Sequence, residues 1–354
     1  MKKPASARSS RAATPPLRIG VLGVANIAKQ FVRDVRPSRA VSVVAVASRS
    51  EENARAFAAA QGVARWHGSY EALLADPEVD AIYLPLPNSL HAEWAMAAAR
   101  HGKHVLCEKP LALGVMQVQA MLDAARQHGV MLLEGYPWWF QPQTGDMLAL
   151  LHSGAIGEVR SVQASFGFTL GNPQANIRMK PELGGGALLD AGSYVTSLIR
   201  LVMGEAPKSV IAHATWADSG VDISLMATLT FADGRRAQLS CAMDAANHRR
   251  ATIMGTQGTI ETEYLNHTSD APGHPWGYLP SQLRVRRGTA NSVPFEEIRS
   301  PSGSGFRFCA EAFAQVVAAK DFTAVERAAQ ASLDIAATLE ALALSAREGH
   351  AVEL

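Results

Sequence analysis

Ile19-Gly20-Val21-Leu22-Gly23-Val24-Ala25-Asn26-Ile27-Ala28 runs from an apolar strand through a glycine turn into the start of a helix. Gly23, Ala25 and Ala28 fall in the three slots of a dinucleotide fingerprint, which asks for a tight turn and then small residues that let the backbone approach a pyrophosphate at the helix N-terminus. Alanine serves at the third slot and is a compromise at the second, so the motif alone is weak. Gly23, Ala25, Asn26 and Ile27 are candidate cofactor-binding residues.

Outward from this turn, short β-branched runs at 17–22, 41–47, 81–84, 104–107 and 130–133 alternate with Ala-rich helical stretches, among them 91–100 before Gly102 and 116–127 before Gly129. That alternation predicts βαβ units around a parallel sheet with ligands at the strand C-termini. Beyond about Phe140 the texture changes to period-two alternation at 159–168, 209–215, 224–231, 237–243 and 251–254, which predicts a mostly antiparallel sheet with helices on one face. The expected fold is α/β: a disordered tail at 1–16, a Rossmann domain at 17–140, and an α/β domain with an open, mostly antiparallel sheet at 141–354 for substrate binding and oligomerisation. Segment 266–277, with Pro272 and Pro275, reads as a loop or lid, and 301–305 as a linker before C-terminal helices.

With 354 residues, 48% hydrophobic and 18% charged, the chain can bury a sizeable core in two domains. A net charge of +1 offers no basic footprint for nucleic acid. Cys107, Cys241 and Cys309 are far apart, with neither metal-ligand nor disulfide-framework spacing, and read as reduced thiols of a cytoplasmic protein. No metal site is expected. The tail carries Lys2, Lys3, Arg8 and Arg11 without the apolar core of a signal peptide; a transit peptide is the minor reading. No run of about 20 apolar residues predicts a membrane span.

The second strand ends in Ser48-Arg49, where a reader of the ribose 2′-hydroxyl needs an acid. A hydroxyl and a planar cation suit a 2′-phosphate, so NADP(H) is expected ahead of NAD(H), with Glu51 and Glu52 standing against that choice.

Two further strand ends carry polar residues at their mouths: Ala81-Ile82-Tyr83-Leu84-Pro85-Leu86-Pro87-Asn88-Ser89-Leu90-His91 and Gly102-Lys103-His104-Val105-Leu106-Cys107-Glu108-Lys109-Pro110. A third motif, Gly184-Gly185-Gly186-Ala187-Leu188-Leu189-Asp190-Ala191-Gly192-Ser193-Tyr194, is a glycine turn leading into a helix that ends at Gly204, with Asp190 and Tyr194 four apart on one face. With the glycine-poor fingerprint and the Glu-Lys-Pro triplet, the chain from Leu17 to Val352 resembles the glucose-fructose oxidoreductase/inositol dehydrogenase (Gfo/Idh/MocA) family. The resemblance implies a Rossmann domain followed by an open-sheet α/β domain, a nicotinamide cofactor near Pro87, Asn88, His91, Glu108 and Lys109, and substrate contacts from Lys109, Asp190 and Tyr194. Tyrosine at 194 is similar to the sugar-oxidising and dihydrodiol dehydrogenase branch. Relatives also use the open sheet face to form homo-oligomers.

One stretch departs from the family's Glu-Ala-x-x-x-Arg-x-His-Pro pattern: it reads Glu134-Gly135-Tyr136-Pro137-Trp138-Trp139-Phe140-Gln141-Pro142, which offers Trp138 and Trp139 as an apolar wall or a stacking platform for a sugar face. Arg178 and His91 are secondary pocket candidates. The expected reaction is hydride transfer between NADP(H) and a carbinol or carbonyl carbon of a sugar or sugar derivative. Tyr194 is the expected acid/base, the Lys109 ammonium lowers its pKa and stabilises oxyanion charge, and Asp190 fixes a neighbouring hydroxyl. Lys109 as the acid/base is the alternative. Two rivals are a catalytically silent sugar-pathway regulator and an aldose–aldose oxidoreductase with tightly held cofactor.

Overall fold

The computed structural model describes residues 15–354; the tail reading at 1–16 lies, apart from Pro15 and Pro16, outside them. Six parallel strands build the first sheet: β1 (Leu17–Leu22), β2 (Val41–Ala47), β3 (Arg65–His67), β4 (Ala81–Leu84), β5 (His104–Glu108) and β6 (Leu132–Gly135), in the order β3-β2-β1-β4-β5-β6. Helices α1 (Asn26–Val35), α2 (Glu51–Gln61), α3 (Tyr70–Leu74), α4 (His91–Arg100) and α5 (Val115–Gln127) connect them. Central strands such as β4 are buried at every position, which is why they read as continuous apolar runs. β3 escapes that reading because it is a three-residue edge strand, exposed at Arg65 and Trp66. β6 starts two residues later than the sequence suggests, because the left-handed Gly129 after α5 must first turn the chain back toward the sheet. Strand order reverses between β1 and β4, so a crevice opens above their C-terminal ends.

The second unit holds α6 (Pro142–His152), β7 (Val159–Thr169), α7 (Ser193–Met203), β8 (Ser209–Trp216), β9 (Asp222–Thr230), β10 (Arg236–Ala242), β11 (Asp244–Gly255), β12 (Gly258–Glu263), β13 (Gln282–Arg287) and β14 (Glu296–Ile298). Helices α8 (Gly305–Ala319) and α9 (Phe322–Glu348) and strand β15 (Val352–Glu353) close the chain. The sheet runs β14-β13-β12-β11-β7-β10-β9-β8-β15, antiparallel except for the β7–β10 pair. Its inner face packs on α7 and α9 through Leu198, Leu339 and Leu342, while Gln163, Thr228 and Gln238 stand on the open face with exposed Ile211 and Met226. The short strands β12 and β13 were missed in the sequence because their alternation is carried by few apolar residues, Ile260, Leu283 and Val285. Among the described residues, no helix is long and apolar enough to cross a membrane.

The assignment of all of 141–354 to a separate second domain needs correction. Phe306, Cys309, Ala310 and Phe313 of α8 pack with Ile19, Val21, Phe31 and Tyr83 in the core beneath the first sheet. Helix α9 serves both cores: Ala329 and Ala336 face the first, and Ile335, Leu339 and Leu342 the second. An apolar patch on each helix had to be covered, and the Rossmann sheet supplies the cover.

Glu134, at the end of β6, is buried, and burial pushes its carboxyl up to about 7, opposed by hydrogen bonds from Ser332 Oγ (2.6 Å) and the Leu111 amide (2.9 Å). A folded-state value above the unfolded one favours the protonated fold, so this contribution is complete below about pH 4.5 and is lost as pH rises through about 7. Glu134→Gln keeps the shape and both partners but cannot ionise. Urea unfolding of the two proteins should therefore show wild type losing roughly 3 kcal/mol relative to the variant between about pH 4.5 and 8; a pH-independent difference would show that Glu134 stays ionised throughout.

Candidate active site

The β1–α1 turn begins at Gly23, whose φ of +122° lies in glycine territory and whose added Cβ would come within 2.9 Å of Leu86 Cδ2. Ala25, which caps α1, and Asn26 and Ile27 of its first turn line a cleft of about 1390 Å³. That turn carries no acidic residue and presents the free amides of a helix N-terminus, so the wall fits a dinucleotide phosphate. Pro85, Leu86, Pro87 and Asn88 follow from the β4 loop, and Glu108 and Lys109 from the end of β5. The volume exceeds the roughly 300–1,000 Å³ of an ordinary small-ligand pocket, as a dinucleotide with a second reactant requires.

The opposite wall comes from the second sheet and the glycine turn. Asn88 Nδ2 donates to the Gly184 carbonyl at 2.8 Å, joining the two walls. At Gly185 a Cβ would collide with the Arg178 carbonyl oxygen, so only glycine lets the Arg178 segment fold back onto the turn. The chain then enters a π-helical turn, Leu188–Gly192, before α7 begins. Such turns widen the helix and recur at functional sites. Here the π turn carries Asp190, and the first turn of α7 carries Tyr194.

Three charges meet on that turn. Lys109 Nζ donates to Asp190 Oδ1 at 2.7 Å and to the Asp190 carbonyl at 3.3 Å, and Arg178 Nε donates to Asp190 Oδ2. Burial pushes the Asp190 carboxyl up, but the Lys109 and Arg178 cations override it and hold the group well below the usual carboxylate range. Burial likewise opposes the Lys109 ammonium, and Asp190 again prevails, so the lysine stays charged above its ordinary value. Lys109 Nζ lies 4.7 Å from the centre of the Tyr194 ring. Burial pushes the Tyr194 phenol up, while Lys109, Arg249 and the 3.1 Å hydrogen bond donated by Asn266 Nδ2 to its oxygen pull it back. The phenol is protonated at neutral pH, and the amide leaves its O–H free to donate elsewhere.

Ala25, Asn26, Ile27, Pro87, Asn88, Glu108, Lys109, Arg178, Asp190 and Tyr194 thus face one cleft. Three expectations are corrected. His91 is fully buried under the loop, its ring nitrogens at 2.9 Å from the Pro110 and Leu86 carbonyls, and does not line the cleft. Trp138 is sequestered in the core with Nε1 bonded to Ser197 Oγ, and Trp139 packs against Tyr136 and Trp138, so neither tryptophan forms a wall of the cleft. Ser48 is buried, accepts the Ser50 amide and does not line the cleft, whereas Arg49 beside it is exposed at the end of β2 next to Tyr70, open to a ligand phosphate. Sequence reasoning missed Phe166, Phe168 and Asn266 on the cleft wall. The two phenylalanines sit two apart on one strand face, a legible signal; Asn266 lies in a loop with no pattern to mark it.

Glu108 accepts the Tyr83 hydroxyl at 2.6 Å, which fixes the carboxyl beside Lys109. Asp190→Asn would leave the buried Lys109 ammonium and the partly exposed Arg178 guanidinium sharing no carboxylate, at a cost of about 1–3 kcal/mol in urea unfolding after solvent screening at Arg178. Adding Lys109→Met should recover part of it, with a coupling of at least about 1 kcal/mol in the double-mutant cycle; strict additivity would show that the pair adds nothing.

Residues 17–136 match the oxidoreductase family with NAD-binding Rossmann fold, and 145–261 match the GFO/IDH/MocA C-terminal domain. The chain is 33% identical to D-xylose 1-dehydrogenase (NADP(+)) 2 of Haloferax volcanii, over 96% of this chain and 100% of that protein. It is 35% identical to trans-1,2-dihydrobenzene-1,2-diol dehydrogenase of Danio rerio, over 83% and 86%. Among solved structures, the 3-ketoreductase KijD10 of Actinomadura kijaniata, in complex with NADP and TDP-benzene, superposes with a TM-score of 0.82 at 31% identity, covering 93% of this chain and 98% of that one. With both halves matched and relatives aligned over nearly their whole length, the chain belongs to the GFO/IDH/MocA family of NAD(P)-dependent oxidoreductases.

Proposed function

We propose that this enzyme transfers a hydride between NADP(H) and a carbinol or carbonyl carbon of a sugar or sugar derivative. The observation that carries the reading is the Lys109–Asp190–Arg178 cluster, set beside the Tyr194 phenol in a cleft whose other wall is the β1–α1 turn. The D-xylose dehydrogenase relative and the NADP complex of KijD10 support the substrate class and the cofactor. When bound, the nicotinamide accepts or supplies the hydride. In reduction Tyr194 gives its proton to the substrate oxygen, and in oxidation it takes one back. The Lys109 ammonium stabilises the developing negative charge. Asp190 occupies that ammonium in a 2.7 Å ion pair and holds it charged, while the Tyr194 O–H is left free to donate, which supports Tyr194 as the proton-transferring group. An ionised carboxylate has about four acceptor sites, so Asp190 retains capacity for a substrate hydroxyl while holding both cations.

A second reading, a cofactor held through successive turnovers between two sugars, is favoured by the loop after β12. Gln30 of α1 donates to the Tyr278 hydroxyl at 2.7 Å, and the Arg33 guanidinium lies 4.4 Å from the centre of the Trp276 ring, so this loop is fastened across the cleft. Nicotinamide released on denaturing the purified protein would select it. A silent regulator is disfavoured by the presence of Lys109, Asp190 and Tyr194 together. The proposal extends to a cytoplasmic homo-oligomer formed through the open sheet face, without nucleic acid as partner.

A reduction screen over sugars and sugar alcohols with both nicotinamide forms tests the function; activity on none of them would sink it. Lys109→Ala and Tyr194→Phe should each lower turnover by at least about a hundredfold with cofactor binding retained. Near-wild-type rates in a folded, saturated variant would remove that residue from the chemistry.

Cofactor choice is read at Arg49. One charge-assisted contact to a 2′-phosphate is worth roughly 1.5–3 kcal/mol, so Arg49→Ala should weaken NADP(H) about ten- to a hundredfold and leave NAD(H) nearly unchanged. Equal losses for both cofactors, measured as dissociation constants, would show that Arg49 is only a solvated charge.

A further inference from the structure

Arg249 lies on β11 opposite Phe166 of β7, and its guanidinium is caged by three aromatic rings. The guanidinium carbon is 4.2 Å from the centre of the Tyr194 ring, 4.6 Å from Phe166 and 4.8 Å from Tyr264. Nε and Nη2 are shut off from solvent and, among the described residues, donate to no acceptor. The next residue, Arg250, has Glu263 for a partner, and the Tyr264 hydroxyl donates to the Ser165 carbonyl. A cation with two of its three nitrogens desolvated and no carboxylate in contact is costly, and ring faces return only part of that cost. The arrangement makes sense where a negative charge forms transiently beside it.

We propose that Arg249 is a positioning residue for the proton transfer: its guanidinium stabilises the phenolate of Tyr194 as that residue gives up its proton. The proposal rests on Tyr194 being the proton-transferring group. In the reducing direction the Tyr194 O–H bond breaks, and its proton goes to the substrate oxygen as the carbonyl carbon accepts hydride; the electron pair stays on the phenolate. In oxidation the phenolate takes the hydroxyl proton as hydride leaves the carbon, and the residue is restored.

The charges around Tyr194 single out Arg249. From β5 come Lys109 and the Glu108 carboxyl, and from the π turn comes Asp190, which already holds Lys109 and Arg178. Asn266 donates to the phenol oxygen, Tyr136 meets the ring edge-on at 5.5 Å, and His267 follows on the same loop as Asn266. Lys109 is balanced by a carboxylate at 2.7 Å, whereas Arg249 has aromatic faces alone. Arg249, at 4.2 Å from the ring centre and without a carboxylate in contact, therefore adds to Lys109 a second positive charge facing the phenol.

The test uses the full chain carrying 3-fluorotyrosine throughout, which brings phenol titration into a range where the fold is intact. The Tyr194 resonance is assigned by its loss in Tyr194→Phe and followed by fluorine NMR without cofactor. Arg249→Gln should raise the Tyr194 midpoint enough to cut the ionised fraction about tenfold at a fixed pH, and Arg249→Lys should restore most of it. In the cofactor-loaded enzyme the tyrosine-dependent limb of the pH–kcat profile should move in the same direction, with Arg249→Gln turnover down about ten- to a hundredfold. If Arg249→Gln does not fold, wild type is compared with Arg249→Lys and Arg249→Met. An unmoved midpoint, or a slower enzyme with an unmoved pH limb, would overturn the proposal while leaving Tyr194 in its role. Wild-type turnover in Tyr194→Phe would instead overturn the reading of Tyr194, and the proposal with it.

Discussion

The Asp190 carboxylate is shared by Lys109, from the Rossmann sheet, and Arg178, from the second unit. Neither the Lys109 ammonium nor the Asp190 carboxylate tolerates that degree of burial alone, so the two walls of the cleft are held in register by the requirement that these charges meet. Everything that fixes Lys109 then matters. The carbonyl of the next residue, Pro110, faces the His91 ring, and the amide of Leu111 is held by Glu134. Neither His91 nor Glu134 lines the cleft, yet they grip the chain one and two residues past the lysine. A side chain aimed by packing and by buried hydrogen bonds loses little freedom when a reaction calls on it.

The same logic explains why the sequence led to the right lysine and the wrong histidine. Lys109 stands at a strand end above the switch point, where topology alone brings side chains to the crevice. His91 starts the helix after the neighbouring strand, and its ring turns inward to two carbonyls, which the residue type cannot announce. Trp138 and Trp139 failed similarly, because an indole at a junction serves packing and binding with equal ease, and here the void beside α7 claimed it.

Buried strands of the first sheet were legible because both faces demand apolar residues. β3 was not, having almost no buried face, and neither was the π turn, since one extra residue in a helix leaves no periodic trace in a glycine-rich segment. Arg249 and Asn266 lie 55 and 72 positions beyond Tyr194 and reach it only through tertiary packing across β7 and β11. Motif spacing reports local geometry. Long-range electrostatic partners need the fold.

Sharing of the C-terminal helices between two cores bears on how the cleft opens. Helix α9 contributes to both cores, and α8 sits wholly beneath the first sheet, so the units are not two beads on a linker. Rocking one against the other would expose apolar surface along α9. The loop after β12 is anchored at 266–268 by Gln141, Gly303 and Gly305, but its exposed outer part, 270–277, carries no such load, and with Tyr278 it meets α1 through Gln30 and Arg33, contacts that water can replace. Access for cofactor and substrate is therefore gained at lowest cost by lifting the outer part of this loop, 270–277, with Asn266 still on Tyr194 and the Asp190 cluster intact, rather than by parting the two walls.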